Sequence, residues 1–180
     1  MKGMVFTHFL AMVEERFSFD TVDAIIDRAE LPHGGAYTAV GTYPHEEMVA
    51  LVVALSAETG ISVDELLKTY GRHLFGKLSA AFPHFMEGSA DSFQFLAGLD
   101  GHIHVEVRKL YPDAELPRFS YRTLSEGQVE MVYHSSRHLE TLAVGLMEGC
   151  FQHFHETITI EPEPMENGDV RFVLTRQAAK

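Results

Sequence analysis

Ile103-His104-Val105-Glu106-Val107-Arg108-Lys109-Leu110-Tyr111-Pro112 reads as a helix with an apolar stripe, one imidazole beside that stripe, and a proline that stops it. At about 100° of rotation per residue, His104 falls on the side of its helix that also carries Phe93, Ala97, Val107 and Tyr111, while His102 lies well round toward Lys109. An imidazole held in an apolar wall stays neutral and can present one nitrogen to iron while the other nitrogen donates to an outer partner. Asp100, one turn earlier, and backbone carbonyls are the candidates for that partner. The competing reading is an ordinary half-buried core histidine, which needs no ligand.

Further along, the chain reads Tyr133-His134-Ser135-Ser136-Arg137. In an extended segment Tyr133, Ser135 and Arg137 project to one side, because strand side chains alternate. Two hydroxyls and a guanidinium then converge on a site suited to carboxylates: arginine pairs with them bidentately and the hydroxyls donate further bonds. Haem carries two propionates, so a metal-ligating histidine and a carboxylate site in one chain point to the same cofactor. A polar strand end that caps the next helix is the alternative for this segment taken alone.

His104, then Tyr111-Pro112, Pro117 and Phe119, and then Y-x-S-x-R at Tyr133, Ser135 and Arg137, resemble the haem nitric oxide/oxygen binding (H-NOX) domain family in its bacterial stand-alone form. The opening Met1-Lys2-Gly3 before an apolar helix and the overall length also resemble that family, so the likeness covers essentially the whole chain.

Composition agrees with a buried cofactor without requiring one. A chain of 180 residues is most simply a single domain, 1–180, with room for a real core. Hydrophobic residues make up 46%, with 13 Phe and 8 Met, which suits an apolar cavity and equally suits a well-packed helical protein. The formal net charge of -12, spread along the chain, argues against a nucleic-acid partner. Cys150 is the only cysteine, which excludes an intrachain disulfide and a Cys-rich zinc cluster and fits a reducing cytoplasm. Met4 to Val13 is apolar but runs into Glu14-Glu15-Arg16 without cleavage-type small residues, and no apolar run has the length of a membrane span. A soluble, cytoplasmic protein is expected.

The spacing predicts helices over 3–17, about 21–29, about 45–58, and from Ser62 to Pro83, the last carrying Leu66, Leu67, Tyr70, Leu74 and Leu78 near one face. Ser89 or Asp91 caps the long helix bearing His104, and Pro112 closes it. Beyond Pro117 the period changes to two: 118–124 and 128–134 read as a hairpin, a helix starts near Arg137, and 157–161 with 170–175 form a second strand pair. The expected class is α+β: an N-terminal, distal helical subdomain of about 1–62, then a proximal subdomain of about 63–180 with a long ligating helix and a small four-stranded antiparallel sheet.

The resemblance implies more than the residues alone do. It implies haem b (iron protoporphyrin IX) between the His104 helix and a distal wall of Val5, Phe9, Leu74, Leu78, Leu142 and Leu146, with Pro117 pressing on the macrocycle and Tyr133, Ser135 and Arg137 holding the propionates. Bound dioxygen on ferrous haem gains negative charge and needs a hydrogen-bond donor, whereas nitric oxide does not. Oxygen-binding members carry a distal tyrosine where this chain has Leu142, so the resemblance implies a nitric oxide sensor that also takes carbon monoxide in vitro; His8, one turn from Val5, is the residue to check as a distal donor. Nitric oxide weakens the bond trans to it, so Fe–His104 stretches or breaks and the helix can shift. The implied role is a signalling domain rather than an enzyme, acting on a separate protein such as a histidine kinase or a cyclic-di-GMP enzyme.

Two other classes compete. A zinc-dependent hydrolase would use His102 with His104, or His153 with His155 near Cys150, and Glu106 or Glu156 as base, yet no H-E-x-x-H run is present. A cofactor-free interaction module would use Tyr133, Ser135 and Arg137 only to stabilise a turn.

Overall fold

Helix-start chemistry sets out the first half of the chain. The computed structural model describes residues 1–177, so the last three positions of the expected 1–180 domain lie outside the described residues. Between α1 (Gly3–Arg16) and α2 (Phe19–Ala29), Ser18 Oγ accepts the Thr21 N–H at 3.1 Å. α3 (His45–Thr59) ends at Gly60 in the left-handed region, φ 75°. α4 (Val63–Ala81) begins from Ser62, whose Oγ accepts the Glu65 N–H at 3.3 Å, and stops ahead of Pro83. Caps of this kind contribute about 1 kcal/mol each.

Asp91, rather than Ser89, caps α5 (Ser92–Ala97), its Oδ1 accepting the Gln94 N–H at 2.8 Å. The long helix expected from here through His104 is interrupted by a turn of wider winding. Leu99–Ile103 wind as a π-helical turn in which the Ile103 N–H reaches back to Gly98 O at 3.2 Å, and α6 (His104–Leu110) follows directly. The extra residue rotates everything after it relative to everything before, so Ala97 does not share the buried His104 side: Ala97 is exposed, while Phe93 is buried and Phe95, Leu96, Leu99 and Ile103 point to the interior.

Among the described residues the second half holds β1 (Arg118–Ser125), β2 (Gln128–His134), α7 (Glu140–His153), β3 (Ile158–Pro164) and β4 (Val170–Arg176). The sheet is antiparallel in the order β1-β2-β4-β3, so β2 is bonded on both edges. Val129, Met131 and Tyr133 of β2 alternate inward, with Tyr133 opposite Phe119 on one side and Val170 on the other. β3 runs beyond the expected 161 because it lies at the sheet edge, where Pro162 and Pro164 need not donate to a further strand. α7 starts at Glu140 rather than near Arg137: the Arg137 N–H turns back onto Ser135 Oγ at 3.2 Å and His138 adopts φ 50°, lifting the chain before the helix begins. Helices first, then a small sheet interrupted by a helix, is the α+β arrangement expected.

Two apolar clusters make the core. One joins α1 to α4 with Leu139 and Leu142, the other joins the sheet, α5 and the rest of α7, and Leu146 packs against both. α4 and α7 touch backbone to backbone: a Cβ on Gly71 would stand 2.6 Å from Leu146 N, one on Gly149 would stand 2.7 Å from Phe75 Cβ, and one on Gly145 would run into Lys68 O. Arg72 braces the pair, with NH1 2.6 Å from Glu148 and NH2 3.1 Å from Glu65. No helix among the described residues is long and apolar enough to cross a membrane.

Candidate functional site

A chamber of about 310 Å³ opens where the two apolar clusters meet. Protein cores otherwise pack at the density of organic crystals, so a space of this size among leucines and phenylalanines is a binding site. One side is built by Val5 of α1, Leu74 and Leu78 of α4, and Leu142 and Leu146 of α7. The facing side is built by Ile103 and Val107 with Pro117 and Phe119. Tyr133, Ser135 and Arg137 form a polar rim at the mouth.

Phe9 does not reach this wall. It is fully buried behind it, its ring edge-on to Tyr70 at 5.1 Å, and Tyr70 in turn donates its hydroxyl to Val5 O. Phe9 stands one turn beyond Val5 on the same face of α1, at the level where that helix meets Tyr70 of α4. His8 is not on the wall either. It lies toward Lys77 and His73, and burial pushes its imidazole below the ordinary range.

His104 is 8% exposed and sits between the wall residues Ile103 and Val107, set back from the wall itself. Its Nδ1 lies 2.7 Å from Asp100 Oδ1, a separation the π turn permits, and no described residue hydrogen-bonds its Nε2. Its ring is 6.2 Å from that of Phe119 on the wall. Burial pushes the imidazole pKa down, with Asp100 opposing that shift. The neutral form with Nδ1–H given to Asp100 leaves the Nε2 lone pair available, which is the state a metal-ligating histidine needs.

At the rim, Tyr133 is buried and its phenol is pushed up by that burial. The Arg137 side chain is 14% exposed, and its guanidinium meets Glu115 twice: NH1 donates to the main-chain oxygen and NH2 to Oε2, both at 2.7 Å. Sequence reasoning missed Glu115. It stands in a segment without periodicity between Pro112 and Pro117, and no local pattern marks it.

The zinc alternatives find little to build on. No group of three or more His, Cys, Asp or Glu that could hold a metal ion occurs among the described residues. His153 packs its ring against Phe75 and Phe154, and Cys150, a buried thiol on the chamber lining, is pushed far above its usual pKa by burial.

The site thus combines an apolar chamber, a buried imidazole on the helix beside it, and an arginine with two hydroxyl residues on its lining. Comparison with known proteins gives the lineage: the chain belongs to the Haem-NO-binding, or H-NOX, family, whose model matches residues 2–162. H-NOX domains bind haem and act as gas sensors rather than catalysts. The chain is similar to the H-NOX protein of K. algicida solved in its Fe(II) unliganded form, with 41% identity, a TM-score of 0.93, and coverage of 99% of this chain and 98% of that one. It is similar also to the H-NOX of Shewanella woodyi, solved with IWP-051 in the Fe(II)CO state, with 39% identity, a TM-score of 0.86, and coverage of 100% and 97%. Soluble guanylate cyclase 89Db of Drosophila melanogaster is 24% identical over 140 residues, which is 76% of this chain but 20% of that protein's length.

Proposed function

We propose that this chain is a nitric oxide sensor that holds haem b in the chamber, with His104 as the iron ligand and Tyr133, Ser135 and Arg137 receiving the propionates. The observation that carries the reading is the His104 pair: Nδ1 lies 2.7 Å from Asp100, and Nε2 has no partner among the described residues, on the helix whose Ile103 and Val107 line the chamber. In this reading His104 would hold the iron and the apolar wall would enclose the gas, and haem would supply a ferrous iron able to bind a diatomic gas and to answer nitric oxide by loosening its hold on the imidazole.

The chain's own residues do the rest. Val5, Leu74, Leu78, Leu142 and Leu146 exclude water and offer no donor to a gas that needs one, which favours nitric oxide and carbon monoxide over dioxygen. Pro117 and Phe119 bear on the other side of the chamber. Asp100 keeps the His104 tautomer and orientation fixed. α6 has only seven residues between a π turn and Pro112, so its hold on the rest of the fold is slight and a released His104 can carry it away from the distal helices.

The partner we infer is a separate signalling protein, such as a histidine kinase or a cyclic-di-GMP enzyme, in the cytoplasm, with no catalytic step in this domain and no nucleic acid, in keeping with the net charge of -12. Absorption spectra of the anaerobically reduced protein, before and after nitric oxide and then in air, test the reading. The expected course is a Soret band that shifts with nitric oxide and shows no stable complex in air. A stable complex in air, or no Soret band after addition of haem, would sink it.

Leu142→Tyr should move the selectivity. The new hydroxyl would enter the chamber from α7, and a hydrogen bond to a charged acceptor is worth about 1.5–3 kcal/mol, or roughly 10- to 150-fold in affinity. Reversible dioxygen uptake by the variant, measured by titration, is the expected outcome; uptake no better than wild type would show that position 142 does not face the gas.

A further inference from the structure

The Arg137–Glu115 contact stands where two chambers meet. Beside the apolar chamber lies a polar vestibule of about 280 Å³ lined by Lys2, Thr42, His45 and Asp113, and both chambers share Glu115 and Arg137. The two acidic residues of the vestibule are committed differently. Asp113 is held twice, by Thr42 Oγ1 at 2.5 Å and by Lys2 Nζ at 3.1 Å, and Lys2 is further fixed by Val40 O at 2.7 Å. The Glu115 carboxylate has one partner, Arg137 NH2, and its side chain is 86% exposed. A carboxylate on an exposed, singly held side chain is the one that can be exchanged.

We infer that Glu115 competes with the acid groups of haem for Arg137, and so sets how firmly the cofactor is held. This rests on the haem reading above. Both terminal nitrogens of the Arg137 guanidinium already face Glu115, so the fork they make is not free for a bidentate pair with another carboxylate. A propionate arriving at the rim must therefore displace the Glu115 carboxylate or share with it, against the repulsion of a like charge. The main-chain contact from NH1 to Glu115 O survives a side-chain change, so Arg137 stays oriented when the carboxylate is removed.

Glu115→Gln keeps the shape and removes the charge. Transfer of haem from the reconstituted protein to excess apomyoglobin, followed by absorbance, should be about two- to fivefold slower for Glu115→Gln than for wild type, the range expected for an ion pair with one exposed partner. The difference should shrink in high salt and vanish in an Arg137→Ala background, where haem loss is faster overall. Equal or faster loss from Glu115→Gln, or an undiminished gain in the Arg137→Ala background, would overturn the competition while leaving haem binding intact. No haem uptake by the wild-type chain would overturn the haem reading and this inference with it.

Discussion

His104→Ala is expected to yield a folded chain that retains no haem unless imidazole is supplied. The side chain removed is the one whose Nδ1 is fixed by Asp100 at 2.7 Å, while its Nε2 has no partner among the described residues. Loss of even an outer partner of a metal-bound histidine costs about 10- to 100-fold in metal affinity, and loss of the ligand itself should cost more. The alanine leaves a space the size of the ring beside the Asp100 carboxylate, which can receive the N–H of free imidazole as it received that of His104. Haem content per chain, read from the Soret band with and without imidazole, measures both effects, and circular dichroism verifies the fold. Unchanged haem content and an unchanged spectrum would show that His104 is a core histidine.

Gly145→Ala should lower stability by about 1–3 kcal/mol, the usual cost of overpacking, which for a chain of this size corresponds to a fall in Tm of roughly 2–12 °C. The added methyl would run into the main chain of α4 at Lys68, and main chain cannot swing aside as a side chain can. Relief requires the two helices to separate, and these same helices carry Leu74, Leu78, Leu142 and Leu146 on the chamber wall. Gly76→Ala is the contrast: it lies within α4 with nothing within 4 Å of the new atom, and helix propensity favours alanine by about 1 kcal/mol. Thermal melts of the two variants should move in opposite directions. Equal Tm values would show that α4 and α7 are not in the close contact described.

The sequence was legible wherever local chemistry decides the outcome. Ser18, Ser62 and Asp91 accept N–H groups at the starts of their helices, and the period-two alternation of 128–134 became the interior strand, because caps and pleats depend on residues a few positions apart. Tyr133, Ser135 and Arg137 all border the chamber, but not through that alternation: the strand ends at His134, and a turn carries Ser135 and Arg137. Ala97 was misplaced because a constant rotation per residue cannot register a π turn, and no local pattern marks one here. Phe9 was assigned to the wall by family position; it shares Val5's face of α1 but lies one turn further along, edge-on to Tyr70 and outside the chamber lining. Glu115 was invisible because its role depends on Arg137, 22 positions away, and on a loop with no repeating pattern.

The two edges of the chamber rest on supports of very different stiffness. Tyr133 rides on a strand bonded along both sides, and Ser135 and Arg137 follow directly from its end, whereas His104 rides on seven residues of helix bounded by an irregular turn and a proline. A force applied at the middle of a plate clamped along one margin and loosely held at the other does not translate the plate; it swings it. If haem bridges these two edges as proposed, the sheet would serve as the fixed jamb and α6 as the yielding leaf, and movement begun at the imidazole would fall mainly on the helical side of the molecule.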